Sequence, residues 1–157
     1  MPPDEFEGTS GPLAAPDRGV GFTETRVPVD VRAAAAARTL VARILHGLVD
    51  DDVLGNARLV ASELATNSVR HSGASADASM VIRLDVSPAR VRLEVEDPGV
   101  ADSIAIGTPD QGGGGGFGLN LVQLLSDVWG HDRGPGGGML VWAELACSPA
   151  ASRHAAG

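Results

Sequence analysis

The chain has 157 residues and a formal net charge of −8. That length holds one domain with a proper core, and the acidity argues against the basic face that nonspecific DNA or anionic membranes require. All twelve basic residues are arginine, which disfavours a Walker A loop, a eukaryotic-type protein kinase and Schiff-base chemistry, because each needs a lysine.

Cys147 is the single cysteine, so no intramolecular disulfide forms; this suits a reducing compartment. No apolar run approaches the roughly 18 residues of a membrane helix. The opening MPPDEFEGTSG is acidic and lacks the apolar core of a secretory signal. The expectation is a soluble, cytoplasmic protein without a direct nucleic-acid or membrane partner.

Residues 1–21 are rich in Pro, Gly and acid and carry no periodicity, which predicts a disordered tail. Residues 147–157 read the same way, leaving 22–146 as the folded unit. FTETRVPV (Phe22 to Val29) suits a first strand, and Asp30 can cap the helix that follows. From Val31 to Leu48 the chain is alanine-rich, with Leu40, Val41, Ile44, Leu45 and Leu48 at helical spacing. A break at 49–52 separates this helix from a second, Val53 to His71, which stops before Gly73.

Met80, Ile82, Leu84 and Val86 alternate with polar or outer positions, and so do Val91, Leu93 and Val95 after the turn SPAR. This predicts a hairpin of two half-buried strands whose polar outer face leaves one side of the sheet without helices. A glycine-rich stretch, 98–116, leads into a third helix from Phe117 to Val128. A hairpin around RGPGGG, with arms near Val128 to Asp132 and Met139 to Leu145, closes the chain. The order β-α-α-β-β-α-β-β predicts a two-layer α/β sandwich with helices on one face.

Three clusters carry candidate chemistry. In ELATNSVRH, Glu63 and Asn67 sit one turn apart, about 6 Å along the axis, at the edge of the stripe Val53, Ala57, Val60 and Leu64, with His71 beyond them. Glu63 can accept a proton or orient a hydroxyl, and the Asn67 carbonyl suits Mg²⁺; an intrahelical polar border is the plain alternative. In EVEDPGVAD, Asp97 ends a strand before Pro-Gly. It is either a turn aspartate or an acceptor for an exocyclic amine such as adenine's. In DQGGGGGFGL the glycines open a helix, where backbone N–H groups attract phosphate and glycine permits close approach. A linker is the alternative for Gly112 to Gly115. The embedded G-x-G-x-x-G (Gly113, Gly115, Gly118) lacks the preceding strand and following acid of a dinucleotide fold.

Taken in order, E-x-x-x-N on a helix, D-x-G after a strand and G-x-G-L opening a helix (Glu63/Asn67, Asp97/Gly99, Gly116/Gly118/Leu119) resemble the N, G1 and G2 boxes of Bergerat-fold, GHKL or histidine-kinase-like ATPases. Gyrase, histidine kinases and mismatch-repair ATPases share that fold. The resemblance spans about Phe22 to Leu145. SELATNSVRHS and LVQLLSDVWG are most similar to bacterial anti-sigma-factor serine/threonine kinases.

The resemblance implies the Bergerat architecture, a mixed, mostly antiparallel sheet with helices on one face. It also implies ATP and Mg²⁺. Asp97 would accept the adenine amine's hydrogen bond, with Gly99 allowing close approach. Asn67 would ligate Mg²⁺, and Gly116, Gly118 and Leu119 would hold phosphate. Glu63 would be catalytic, orienting or deprotonating an acceptor hydroxyl, and 98–115 would form a lid. The implied partners are a sigma factor and an anti-anti-sigma antagonist that receives the phosphoryl group; relatives also suggest a homodimer. Two positions depart from the pattern. Ala101 stands at the second glycine of the G1 box, and Leu140 matches a threonine near adenine in the final strand. Arg70 and Arg133 are the nearest candidate cations for the γ-phosphate. These departures motivate the alternative: a non-catalytic ATP-binding, or nucleotide-free, module that sequesters a regulator.

Overall fold

A computed structural model describes residues 21–71, 77–98 and 117–147. In chain order the elements are β1 (Gly21–Pro28), α1 (Ala33–Leu45), α2 (Asp51–His71), β2 (Ser79–Val86), β3 (Arg90–Glu96), α3 (Phe117–Leu125), β4 (Val128–Arg133) and β5 (Met139–Ala146). This is the predicted order. The strands form one sheet, β1-β2-β3-β5-β4. The expected mixed sheet proves simpler, since every pairing among the described strands is antiparallel.

The period-2 pattern decides which face is covered. Ile82, Val95 and Val141 align across three strands, as do Leu84, Leu93 and Ala143, and Val86, Val91 and Leu145. These rows are buried beneath the helices with Leu45, Val60, Leu64 and Val122. The stripe read on α2 holds: Ala57, Val60 and Leu64 are buried, and Val53 packs against them half-buried. Each large aliphatic side chain buried this way contributes about 1.5–3 kcal/mol relative to exposure.

Among the described residues no helix covers the other face. It carries a ladder of charges instead. Arg83 on β2 donates to Glu24 on β1 (2.7 Å) and to Glu96 on β3 (2.9 Å). Further along, Arg92 donates to Glu94 (2.8 Å) and Glu144 (2.8 Å) and lies 4.3 Å from the ring centroid of Trp142, while Arg90 also pairs with Glu144. Burial opposes the charge on Arg83, but its bonds to Glu24 and Glu96 outweigh that and raise its pKa above the ordinary arginine value. Glu94 and Glu96 are therefore buried yet paired, which is the condition under which buried carboxylates are tolerated.

The helix ends depart from expectation. Asp30 does not cap α1: its carboxylate accepts from the amide of Arg32 (2.7 Å), the residue just before the helix begins, and α1 has no side-chain cap. The cap lies at α2, where Asp50 accepts from the Val53 amide at 2.9 Å. α1 stops at Leu45 rather than Leu48 and is followed by Gly47 at φ 75°, a conformation glycine adopts without steric cost. α3 stops at Leu125 rather than Val128, with the Ser126 hydroxyl donating back to the Val122 carbonyl. Val128 starts β4 and is half exposed.

Candidate functional site

Chain direction brings the described parts of the candidate clusters, Glu63 and Asn67, Asp97 and the start of α3, toward one end of the sandwich. α2 ends at His71 and β2 begins at Ser79, so the C-terminal half of α2 lies over the sheet end where β2 starts. Because Val81 pairs with Glu96 and Glu96 with Leu140, that is also where β3 ends and β5 begins. α3 ends at Leu125, just before β4 pairs Val128 with Glu144 at the opposite end. Its N-terminus at Phe117 therefore points back toward the end that holds Asp97.

The edge of α2 that bears Glu63 and Asn67 faces this space. Arg38 of α1 donates to Ser62 at 2.7 Å, which places the Ser62 edge beneath α1. At about 100° per residue, Glu63 and Asn67 lie on the other side of the buried stripe, the side on which α2 meets α3. Both are half-buried. Ser68, the next residue, is buried, and among the described residues its hydroxyl has no hydrogen-bond partner. A buried polar atom left so is costly unless something satisfies it.

Asp97 is not a solvent-exposed turn residue. It is 8% exposed. Its amide donates to the Met139 carbonyl (3.0 Å), and its carboxylate accepts from the Met139 amide (3.4 Å). Strand alternation sends Asp97 toward the helices and Glu96 toward the open face. On the helix side the row therefore runs Met80, Asp97, Met139 and Arg133.

This register corrects the reading of Leu140. Leu140 pairs with Glu96 and is buried on the open face, apart from the helix-side core. The final-strand residues that face the site are Met139 and Val141. Both are apolar, and β5 carries no hydroxyl side chain. Of the two candidate cations, Arg133 stands at the end of the row, where its guanidinium donates to the Gly137 carbonyl at 3.1 Å. Arg70 is exposed on α2.

Gly99, Ala101, Gly116, the proposed lid and the run Gly112 to Gly115 lie outside the described residues. Gly118 is described only as helical backbone. Leu119 is 3% exposed and anchors the first turn of α3 in the core. No acidic residue stands in that turn, so nothing there opposes an anion at the helix start. Sequence reasoning missed Ser68, Met139 and the clamp around Glu96. Only the strand register could have revealed the last two.

A family model described as the histidine kinase-like ATPase domain matches residues 27–143. The chain belongs to that family. It matches no curated protein sequence. Membership makes this an ATP-binding, kinase-like ATPase domain, and the convergent end of the sandwich is where its donor set fits such a ligand. A buried carboxylate suits an exocyclic amine, an orphaned hydroxyl can bond the ligand or a bridging water, and a carboxamide suits Mg²⁺. Among the described residues no three His, Cys, Asp or Glu side chains converge on a metal. A Mg²⁺ held by one protein oxygen and substrate phosphates asks for no such cage. Nor is any helix among them long and apolar enough to cross a membrane.

Proposed function

We propose that this histidine kinase-like ATPase domain is an anti-sigma regulatory factor with serine/threonine kinase activity toward an anti-anti-sigma antagonist. One observation carries the reading: within a single short domain, the Glu63–Asn67 edge, buried Asp97 and the start of α3 meet at one end of the sheet.

In this reading Asp97 accepts the adenine amine's hydrogen bond, with Met80 and Met139 beside it and Gly99 after it. Asn67 holds Mg²⁺, which supplies charge neutralisation at the phosphates. The backbone from Gly116 through Gly118 to Leu119 presents N–H groups to phosphate, and Leu119 keeps that turn seated. Glu63 takes the proton of the acceptor serine or threonine as its oxygen bonds to the γ-phosphorus. The bond from that phosphorus to the β–γ bridging oxygen breaks, and ADP leaves. Catalysis here is positioning and charge neutralisation. A sigma factor, the antagonist, a homodimer and a cytoplasmic setting belong to the same reading.

A second reading is favoured by the strand opposite Asp97. It supplies Met139 and Val141 and no hydroxyl, while Arg133 is engaged by the Gly137 carbonyl. On that reading the domain binds nucleotide and sequesters a regulator without transferring phosphate. Transfer of labelled γ-phosphate to anti-anti-sigma proteins from the same genome decides between them. The kinase reading expects transfer that falls about 10²- to 10⁴-fold in Glu63→Ala, the usual weight of a general base. Nucleotide binding with no transfer to any acceptor supports the second reading. Equal transfer by wild type and Glu63→Ala removes Glu63 from catalysis.

A further inference from the structure

Glu96 and Asp97 are neighbours that point to opposite faces of the sheet. Asp97 faces the nucleotide end; Glu96 faces away from it, 4% exposed, and bonds Arg83. Glu96 has a second partner that the ion ladder does not require. Its carboxylate accepts from the amide of Gly136 at 2.7 Å. Gly136 lies in the β4–β5 turn, closed by the Gly134 amide on the Gly138 carbonyl (2.8 Å) and the Gly137 amide on the Gly134 carbonyl (2.9 Å).

This turn wraps the carboxylate closely. A Cβ at Gly134 would overlap the Glu96 carboxylate, and one at Gly136 would come within 2.7 Å of it. A Cβ at Gly138 would overlap the carbonyl oxygen of Asp97. Gly137 adopts φ 85°, where other residues are strained. So the turn is shaped to close on the end of β3, and its next residue, Met139, accepts from the Asp97 amide and donates its own amide to the Asp97 carboxylate.

We propose that Glu96 is a positioning residue for adenine recognition. It clamps the glycine turn against the end of β3 and so fixes Asp97 at the angle that reads the base. The Arg83 bond holds the Glu96 carboxylate, the carboxylate holds Gly136, and the turn presents Met139 to Asp97. The role rests on the reading of Asp97 as the adenine acceptor. It adds a requirement of this chain, that base selectivity depends on a carboxylate on the far face of the sheet.

The test compares ATP and GTP binding by calorimetry in wild type, Glu96→Ala, Glu96→Gln, Asp97→Ala and Glu144→Ala. Glu144→Ala removes ion pairs from the same open face at the other end of β5, so it matches the loss of stability without touching the turn. The clamp predicts that Glu96→Ala weakens ATP binding about tenfold, the scale of one charge-assisted hydrogen bond, and moves the ATP-to-GTP ratio toward unity. Glu96→Gln, which keeps an acceptor for Gly136, recovers part of both, and Glu144→Ala changes neither. An unchanged ratio in Glu96→Ala, or the same shift in Glu144→Ala, overturns the clamp.

Amide hydrogen exchange on the nucleotide-free protein separates the clamp from the reading beneath it. Faster exchange at Asp97 and Gly136 in Glu96→Ala than in Glu144→Ala is the expected result, and equal exchange refutes the clamp. A wild type whose base preference survives Asp97→Ala refutes the reading of Asp97, and the positioning role for adenine with it.

Discussion

The buried carboxylate of Asp97 depends on a glycine forty-one positions away in the chain. Gly138 lies against the Asp97 carbonyl so closely that any Cβ would overlap it. Gly138→Ala must therefore push β5 away from β3 at the Asp97 end, an overpacking expected to cost about 1–3 kcal/mol. Urea unfolding should show a lower midpoint, and ATP titration a weaker affinity; a variant unchanged in both would show that the strands have slack here. At this scale the sequence was partly legible. Glu63, Asn67 and Asp97 stood out because each interrupts or ends a clear apolar pattern. Leu140 was misplaced because strand parity has period 2, so a shift of one residue exchanges the faces. Glu96 gave no signal, because its burial comes from Arg83 on another strand and from a turn forty residues later.

Among the elements, strands and helices were legible from periodicity, and their ends were not. Asp30 and Asp50 both precede helices, yet only Asp50 reaches a helical amide. The difference lies in the offset from the first helical turn, which composition does not reveal. Asp50→Ala should destabilise the protein by about 1 kcal/mol, read from denaturant midpoints, whereas Asp30→Ala should cost less. The reverse order would place the working cap at α1.

The same Asp50 acts on the end of β5. Burial first, and then the charge of Asp50, raise the pKa of Cys147 above its ordinary 9.0. The fold thus favours the neutral thiol. That stabilisation is complete below the unfolded pKa and is lost as pH rises through the folded one. At about pH 9 iodoacetamide should alkylate native Cys147 more slowly than the denatured chain, since the thiolate is the nucleophile; equal rates would contradict the shift.

Among the described residues, one sheet face without helices and one helical layer bring Glu63, Asn67, Asp97 and the start of α3 toward a single end. The order of the motifs conveyed this, because the β-α-α-β-β-α-β-β path returns α2, β3 and α3 to the same edge. It did not convey the open-face charge ladder, which needs four strands in register before any carboxylate on it is buried. Mg²⁺-dependent ATP binding, measured by calorimetry with and without Mg²⁺ for wild type and Asn67→Ala, tests the proposed site most directly. Mg²⁺ should strengthen ATP binding to the wild type, and Asn67→Ala should lose most of this gain while remaining folded. Equal ATP affinities for the two proteins in the presence of Mg²⁺ would contradict the assignment of this end of the sandwich as a Mg²⁺–ATP site.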